Sequence, residues 1–196
     1  GKITPNKRTK LLEICMDNLQ KHEVLNIYLG FDETEIVAYH TLSQSIIKHA
    51  SGPVRVSPIC SKHFKSFFNR PRDEKQSNDF SFTRFLVPYL NQYDGHAIFM
   101  DCDMMLRSDI FDVLREIDKE SAVSVVKHDY TPSDAVKYLN KVQYAYPRKN
   151  WSSFVVWNCA HIKNSKLTPE FVEKATGLDL HRFTWLDDSE IGGLDV

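Results

Sequence analysis

Residues 97–106 read Ala97-Ile98-Phe99-Met100-Asp101-Cys102-Asp103-Met104-Met105-Leu106, an apolar run that delivers two aspartates one residue apart. Such a run is typical of a buried strand. Because side chains at positions i and i+2 of a strand point to the same face, the carboxylates of Asp101 and Asp103 can converge on one ion. Carboxylate oxygens suit a hard divalent cation such as Mg²⁺ or Mn²⁺. The alternative is a strand that ends in a polar turn, with one aspartate capping the next element.

A strand–helix–strand unit precedes this stretch. Residues 24–29 predict a first strand, residues 35–49 a helix and residues 54–60 a second strand. This order commits the sheet to parallel strands. Ligands of such sheets bind beyond the carboxyl ends of the strands, where Asp32 falls. The predicted fold class is α/β, a three-layer α/β/α sandwich with a mostly parallel, Rossmann-like sheet.

The same alternation continues through the chain, and no break in composition indicates a second domain. Periodicity predicts helices over residues 82–90 (bent at Pro88), 109–117, 132–139 and 168–175, and strands over residues 122–127 and 151–158. Within residues 1–22, apolar positions at helical spacing predict an amphipathic helix ahead of the first strand. We therefore expect one domain over residues 1–196.

Composition excludes several classes of function. The chain has 25 basic and 26 acidic residues, which argues against a nucleic-acid partner. No apolar run approaches the length of a membrane span, and the start does not resemble a signal peptide. The four cysteines are far apart and form no Cys-x-x-Cys pair. This pattern favours reduced thiols in a cytoplasmic protein over a disulfide scaffold or a zinc site.

Two motifs resemble those of one enzyme family. They read Phe-Thr-Arg-Phe-Leu-Val-Pro-Tyr over residues 82–89 and Ile-Phe-Met-Asp-Cys-Asp-Met-Met-Leu-Arg-Ser-Asp-Ile over residues 98–110. With the aspartate turn after the first strand, residues 27–191 resemble the glycosyltransferase family 8-like enzymes of the GT-A fold. The resemblance implies that the chain transfers a hexose from a nucleoside diphosphate sugar, UDP-linked, to a hydroxyl of a glycan or other acceptor. It also implies a Mn²⁺ or Mg²⁺ cofactor and retention of the anomeric configuration.

The resemblance assigns roles to residues in the first half of the chain. Asp101 and Asp103 would hold the metal ion against the donor's diphosphate, and Arg84 would reach the donor's phosphates or sugar. Asp32, Glu33 and Thr34 would form the wall of the nucleoside pocket. A cation and a guanidinium are also what the chemistry needs, since charge develops on the leaving diphosphate. The alternatives are a surface salt bridge of Arg84 with Asp79 and a helix cap for Asp32, although a capping aspartate can still face a ribose.

Two segments of the second half match the family less well. Ser152 and Ser153 stand where the family has an amide and a small residue that line the donor sugar, and hydroxyls can still bind a sugar. An acidic segment, residues 187–190, falls where the family has Asp-Gln-Asp, although the glutamine is replaced by serine. There Asp187, Asp188 and Glu190 are the candidate catalytic residues. The alternatives are an ordinary half-buried strand for the first segment and a solvated acidic turn for the second.

The family's third metal ligand is a histidine in a later His-x-x-Gly-type motif, which this chain, ending at Val196, does not contain. We expect the natural protein to continue further, and metal affinity to be weak without nucleotide. His128 and Asp129 form the one histidine–aspartate pair that we expect near the site. The alternative is that His128 is a packing or surface histidine.

Two other functions stay open. A non-catalytic nucleotide- or glycan-binding domain of the same fold would explain the serines at 152 and 153. A phosphohydrolase of the haloacid-dehalogenase type also presents Asp-x-Asp after an apolar strand, with a later acidic pair for Mg²⁺ that Asp187 and Asp188 could supply. Against it, that motif usually opens the domain.

Overall fold

Strands make up the centre of the computed structural model, which describes residues 24–72, 76, 78–127, 136–137, 141–142, 148 and 151–194. Within these ranges the strands are β1 (Leu25–Gly30), β2 (Val54–Ile59), β3 (His96–Met100), β4 (Val123–Val126), β5 (Val136–Lys137), β6 (Lys141–Val142), β7 (Phe154–Asn158) and β8 (Ile191–Leu194). The predicted amphipathic helix before β1, and the pair His128 and Asp129, lie outside the described residues.

The α-helices in the described ranges are α1 (Ile36–His49), α2 (Val87–Leu90), α3 (Ile110–Glu116), α4 (Pro169–Lys174) and α5 (Gly177–His181). Short 3-10 helices cover Glu33–Glu35, Ser61–Phe64, Thr83–Leu86, Trp151–Ser153, Ile162–Lys166 and Asp188–Glu190. In this part of the chain no helix has the length and apolar character needed to cross a lipid bilayer.

Six strands form one sheet in the order β2-β1-β3-β7-β4-β8. β1 pairs in parallel with both β2 and β3, and β4 pairs in parallel with β8. β7 lies between β3 and β4 and runs antiparallel to both. The predicted α/β class with a mostly parallel sheet is therefore confirmed.

Both faces of β3 are buried, as expected of a central strand in such a sheet. Ile98 and Met100 face one side, where they pack in a cluster with Leu42 and Ile46 of α1. Ala97 and Phe99 face the other side, in a cluster that includes residues of the Thr83–Leu86 helix, β7 and α4. The alternation of side chains along β3 thus places helices on both faces of the sheet.

Three predicted elements differ from the structure. The helix predicted over 82–90 is a 3-10 turn followed by α2, and Pro88 lies in the first turn of α2, where its missing N–H is not needed. Ser152 and Ser153 belong to a 3-10 helix, so that strand starts only at Phe154. The helix predicted over 132–139 is contradicted at Val136–Lys137, which pairs with β6 as a strand.

Replacing Gly30 with alanine should lower the free energy of unfolding by about 1–3 kcal/mol. Gly30 ends β1, and a Cβ atom there would lie 2.5 Å from Cδ2 of the buried Phe80 ring. Gly193→Ala is the matched control, because its Cβ would meet nothing closer than Lys127 Cδ at 3.7 Å. We expect the control to change stability by no more than about 0.5 kcal/mol. Urea unfolding of both variants checks this, and equal losses would contradict it.

Candidate functional site

The carboxyl ends of β1 and β3 bring the predicted residues of the first half together. Leu29 of β1 pairs with Met100 of β3, so the two parallel strands end side by side. Asp101 follows Met100 directly, and Asp32 lies in the turn that follows β1. This edge of the sheet is where ligands of open α/β sheets bind.

Arg84 and Asp101 form a buried ion pair at this edge. The Arg84 side chain is 6% exposed, and its Nη1 lies 2.9 Å from Asp101 Oδ1. The guanidinium also lies close to two aromatic rings, 5.3 Å from the centre of Phe80 and 5.0 Å from that of Phe99. The surface salt bridge with Asp79 that the sequence left open is not formed, since Asp79 pairs with Arg72.

Burial dominates the electrostatics of this pair. It lowers the pKa of Arg84 and raises the pKa of Asp101 to about 6, although each partner's charge opposes the shift of the other. The negative charges of Asp103 and Glu35 raise the pKa of Asp101 further. Asp103 itself is exposed. The largely buried Asp101 carboxylate and the exposed Asp103 carboxylate are therefore separated by one residue. Negative charge is concentrated at the end of β3.

The donor chemistry of this edge fits a divalent cation in part. Asp101 and Asp103 are oxygen ligands of the kind that Mg²⁺ and Mn²⁺ prefer, and a cation would relieve the repulsion that raises the pKa of Asp101. Glu35 is a third carboxylate whose charge acts on Asp101, and it accepts a hydrogen bond from Cys102 Sγ at 3.2 Å. Across the described residues, no group of three or more His, Cys, Asp or Glu side chains is arranged to hold a metal ion.

Asp32 is a helix cap, the alternative that its sequence context offered. Its Oδ1 accepts hydrogen bonds from the backbone N and the Oγ1 of Thr34, at 2.9 and 2.7 Å. Its Oδ2 accepts from the backbone N of Asp79 at 3.1 Å, so Asp32 also ties β1 to the segment before the Arg84 helix. The Thr34 hydrogen bonds are the main reason that the pKa of Asp32 is lowered. Glu33 is exposed and pairs with Lys62 at 2.5 Å.

Ser152 and Ser153 lie beside the ion pair through their backbone. The carbonyl oxygen of Ser152 accepts a hydrogen bond from Arg84 Nη1 at 2.9 Å, and that of Ser153 accepts from the backbone N of Asp101 at 2.8 Å. The Ser152 hydroxyl is buried and lies 2.7 Å from Nδ1 of His181, the last residue of α5. His181 was not among the residues predicted from the sequence, where only its place between the Ser152 segment and the acidic segment pointed to it.

By the register of the strands, the acidic segment leads into β8 at the opposite edge of the sheet. Val123 of β4 pairs with Trp157 and with Ile191, and Trp157 also pairs with Ala97, so Ile191 lies level with Ala97. Asp101 is four residues further toward the carboxyl edge, and three strand spacings separate β3 from β8. At about 3.3 Å per residue and about 4.8 Å per strand, the start of β8 is about 13 Å along the sheet and about 14 Å across it from Asp101.

The three predicted catalytic carboxylates instead contact the chain around them, as the alternative of an acidic turn implies. Asp188 pairs with Arg148, which also donates hydrogen bonds to backbone oxygens between residues 182 and 186. Glu190 Oε2 accepts a hydrogen bond from the backbone N of Asp187 at 2.9 Å, and Glu190 Oε1 lies 3.5 Å from Lys163 Nζ. Among the described residues, the partners of these carboxylates are Arg148, Lys163 and nearby backbone, and their catalytic role stays a prediction.

Solved structures similar to this chain define the class of its fold. The bifunctional glycosyltransferase WbbM matches with a TM-score of 0.60 and 14% identity over 87% of this chain, which spans 38% of the WbbM chain. The galactosyltransferase LgtC matches with a TM-score of 0.53 and 10% identity, over 86% of this chain and 73% of LgtC. Mouse xyloside xylosyltransferase 1 matches with a TM-score of 0.53 and 11% identity, over 87% and 85%. The chain has the GT-A glycosyltransferase fold.

Sequence comparison places the chain in a family. It is 43% identical over 184 residues to Protein CDI of Arabidopsis thaliana, a match that covers 93% of this chain and 71% of that protein. The chain belongs to the family of Protein CDI. No protein-family model matches it.

The unfolding free energy of Asp101→Asn relative to the wild type should rise with pH between about pH 4 and pH 6. The folded chain holds the Asp101 proton up to about pH 6, whereas an unfolded aspartate releases it near 3.8. The contribution of Asp101 to wild-type stability therefore falls across this window, by about 3 kcal/mol, and asparagine does not titrate. Urea unfolding at several pH values measures the difference. Asp112→Asn, at an exposed aspartate of α3, is the control and should show no such trend.

Proposed function

We propose that this chain transfers a hexose from a UDP-linked sugar to an acceptor hydroxyl and that Mn²⁺ or Mg²⁺ assists the reaction. One observation carries the proposal. The buried Arg84–Asp101 pair and the exposed Asp103 lie together at the carboxyl edge of a GT-A sheet, beside the Asp32 turn. A fixed guanidinium and two carboxylates at that edge suit a diphosphate and its counter-ion.

The roles follow from what each side chain offers. Asp101 and Asp103 would hold the cation, which when bound supplies positive charge against the leaving diphosphate. Arg84 would present its guanidinium to the same charge from a fixed position, because Asp101, the Ser152 carbonyl and two aromatic rings surround it. Preorganised charge of this kind favours the transition state, since little reorganisation is needed as the charge develops.

The similar structures support a transferase without naming its substrates. WbbM is described as a bifunctional glycosyltransferase, and LgtC has been solved with donor and acceptor sugar analogues. The identities of 10–14% leave the sugar, the acceptor and the stereochemistry to experiment. Hexose, UDP and retention therefore rest on the resemblance of residues 82–110 to family 8-like enzymes.

A second candidate is a nucleotide- or glycan-binding domain without turnover. The acidic segment favours it, because the Asp188 carboxylate is already paired with Arg148. The position of the aspartate pair in the sheet argues against the phosphohydrolase alternative. The Asp101 strand is the third of a GT-A sheet, whereas the dehalogenase motif opens its domain.

UDP together with Mn²⁺ should raise the melting temperature of the 196-residue chain more than either does alone. Nucleotide at about 100 times its Kd would stabilise the folded chain by about 2.7 kcal/mol. Asp103→Asn should remove the metal-dependent part of the shift and leave the melting temperature without ligand unchanged, since Asp103 is exposed. Asp112→Asn, which removes an exposed carboxylate of α3, should keep the full shift.

Hydrolysis of a panel of UDP-sugars separates the two candidates. Release of UDP from one donor, abolished in Asp103→Asn, supports a transferase. A Mn²⁺-dependent thermal shift with UDP but no release from any donor supports the binding domain. No shift with any nucleotide, with or without Mn²⁺, would overturn both.

A further inference from the structure

We infer that His181 is a positioning residue of the candidate site, which acts through Ser152 to hold Arg84 and Asp101 in their observed geometry. The inference deepens the proposed function and rests on it only for the effect on nucleotide binding. The effect on Arg84 itself is independent of any activity.

Residues 152–153 contact both members of the ion pair. Arg84 Nη1 donates to the Ser152 carbonyl at 2.9 Å, and the backbone N of Asp101 donates to the Ser153 carbonyl at 2.8 Å. Two consecutive carbonyls thus set the guanidinium and the main chain at the start of the aspartate turn. A rotation of this segment would move both partners of the pair together.

A hydrogen bond holds this segment. The Ser152 residue is 6% exposed, and its Oγ lies 2.7 Å from Nδ1 of His181. A buried hydroxyl without a partner costs about 1–3 kcal/mol, so the imidazole restricts the Ser152 rotamer and with it the local backbone. His181 therefore reaches Arg84 through one residue.

The position of the imidazole is fixed. His181 is the last residue of α5, whose start is capped by Thr176: its Oγ1 accepts from the backbone N of Asp179 at 3.1 Å. The ring packs edge-on against Phe85, with ring centres 5.1 Å apart, and also lies 6.3 Å from Phe82. The helix that carries Arg84 thus also supplies the aromatic wall that orients His181.

Protonation is consistent with this role. Burial, and then the positive charges of Arg84 and Arg70, lower the pKa of His181 to about 4. The ring is neutral near pH 7 and so has one nitrogen free to accept a hydrogen bond. With the ring proton on Nε2, Nδ1 accepts a hydrogen bond from the Ser152 hydroxyl, and no second positive charge is placed beside Arg84.

His181 lies in the part of the chain from which the sequence predicted the acidic residues. The chain after β7 contributes α5 to this edge of the site, whereas the acidic segment starts β8 at the other edge. The neutral imidazole at the end of α5 is accordingly a contribution of the second half of the chain to the site.

The test compares His181→Leu with His181→Asn in the 196-residue chain. Leucine keeps the apolar contacts of the ring and removes the hydrogen-bond acceptor. The asparagine carbonyl can still accept a hydrogen bond from the Ser152 hydroxyl near the position of Nδ1. We expect His181→Leu to accelerate hydrogen exchange of the Arg84 Nη–H groups, which include the donor to the Ser152 carbonyl, by about tenfold as followed by nitrogen-15 NMR. His181→Asn should stay within about threefold of the wild type. His63→Asn, at an exposed histidine, is the matched control and should not change the exchange.

Ser152→Ala tests the same link from the other side and removes only a hydroxyl, so it serves if His181→Leu fails to fold. It should reproduce the faster exchange, and the double variant should be no worse than either single one, because both break one interaction. Unchanged Arg84 exchange in folded His181→Leu or Ser152→Ala would overturn the inference, as would fully additive effects.

Nucleotide binding distinguishes this failure from failure of the proposed function. With Mn²⁺ present, UDP affinity should fall about tenfold in His181→Leu and recover in His181→Asn. If the wild type binds no UDP but Arg84 exchange responds as expected, the proposed function fails and the positioning role stands. If UDP binds equally to all variants and the exchange is unchanged, only the positioning role is wrong.

Discussion

The Arg84–Asp101 ion pair is the interaction on which the candidate site depends. Both charges are largely removed from water, and burial shifts the pKa of each partner toward its neutral form. A buried pair of this kind is weak evidence for stability, because desolvation offsets much of the attraction. The pair matters more for the side chains that it holds in place. The guanidinium lies near two aromatic rings and donates a hydrogen bond to the Ser152 carbonyl, so its direction is set by several contacts at once.

The directions of four strands decide which segments reach this edge of the sheet. β1 and β3 are parallel and end together, which brings the Asp32 turn beside Asp101. β7 is antiparallel to β3, so its first residue, Phe154, pairs with Met100 at the end of β3, and residues 151–153 lie at the site edge. β8 is parallel to β4 and starts at the other edge, so the acidic segment approaches the sheet from there. One antiparallel strand in a parallel sheet thus accounts for the presence of residues 151–153 at the site edge.

The fold and the site give different kinds of evidence about function. The fold is shared with solved glycosyltransferases at 10–14% identity, and with that similarity comes an edge of the sheet suited to ligands. The chemistry must come from the residues at that edge. These offer a fixed positive charge, two carboxylates one residue apart and a neutral imidazole held in a hydrogen-bonded chain. This member of the family of Protein CDI therefore offers a specific set of side chains to test.

The sequence by itself determined the features whose causes are local. The apolar run of β3, the Asp-x-Asp that ends it and the capping aspartate at position 32 depend on neighbouring residues only, and each is where the patterns predicted. Only the tertiary structure decided the partners. Arg84 pairs with Asp101 and not with Asp79, Asp188 pairs with Arg148, and His181 joins Ser152. The physical reason is that such partners are distant in the chain, and they are selected by strand order and strand direction, which no local spacing records.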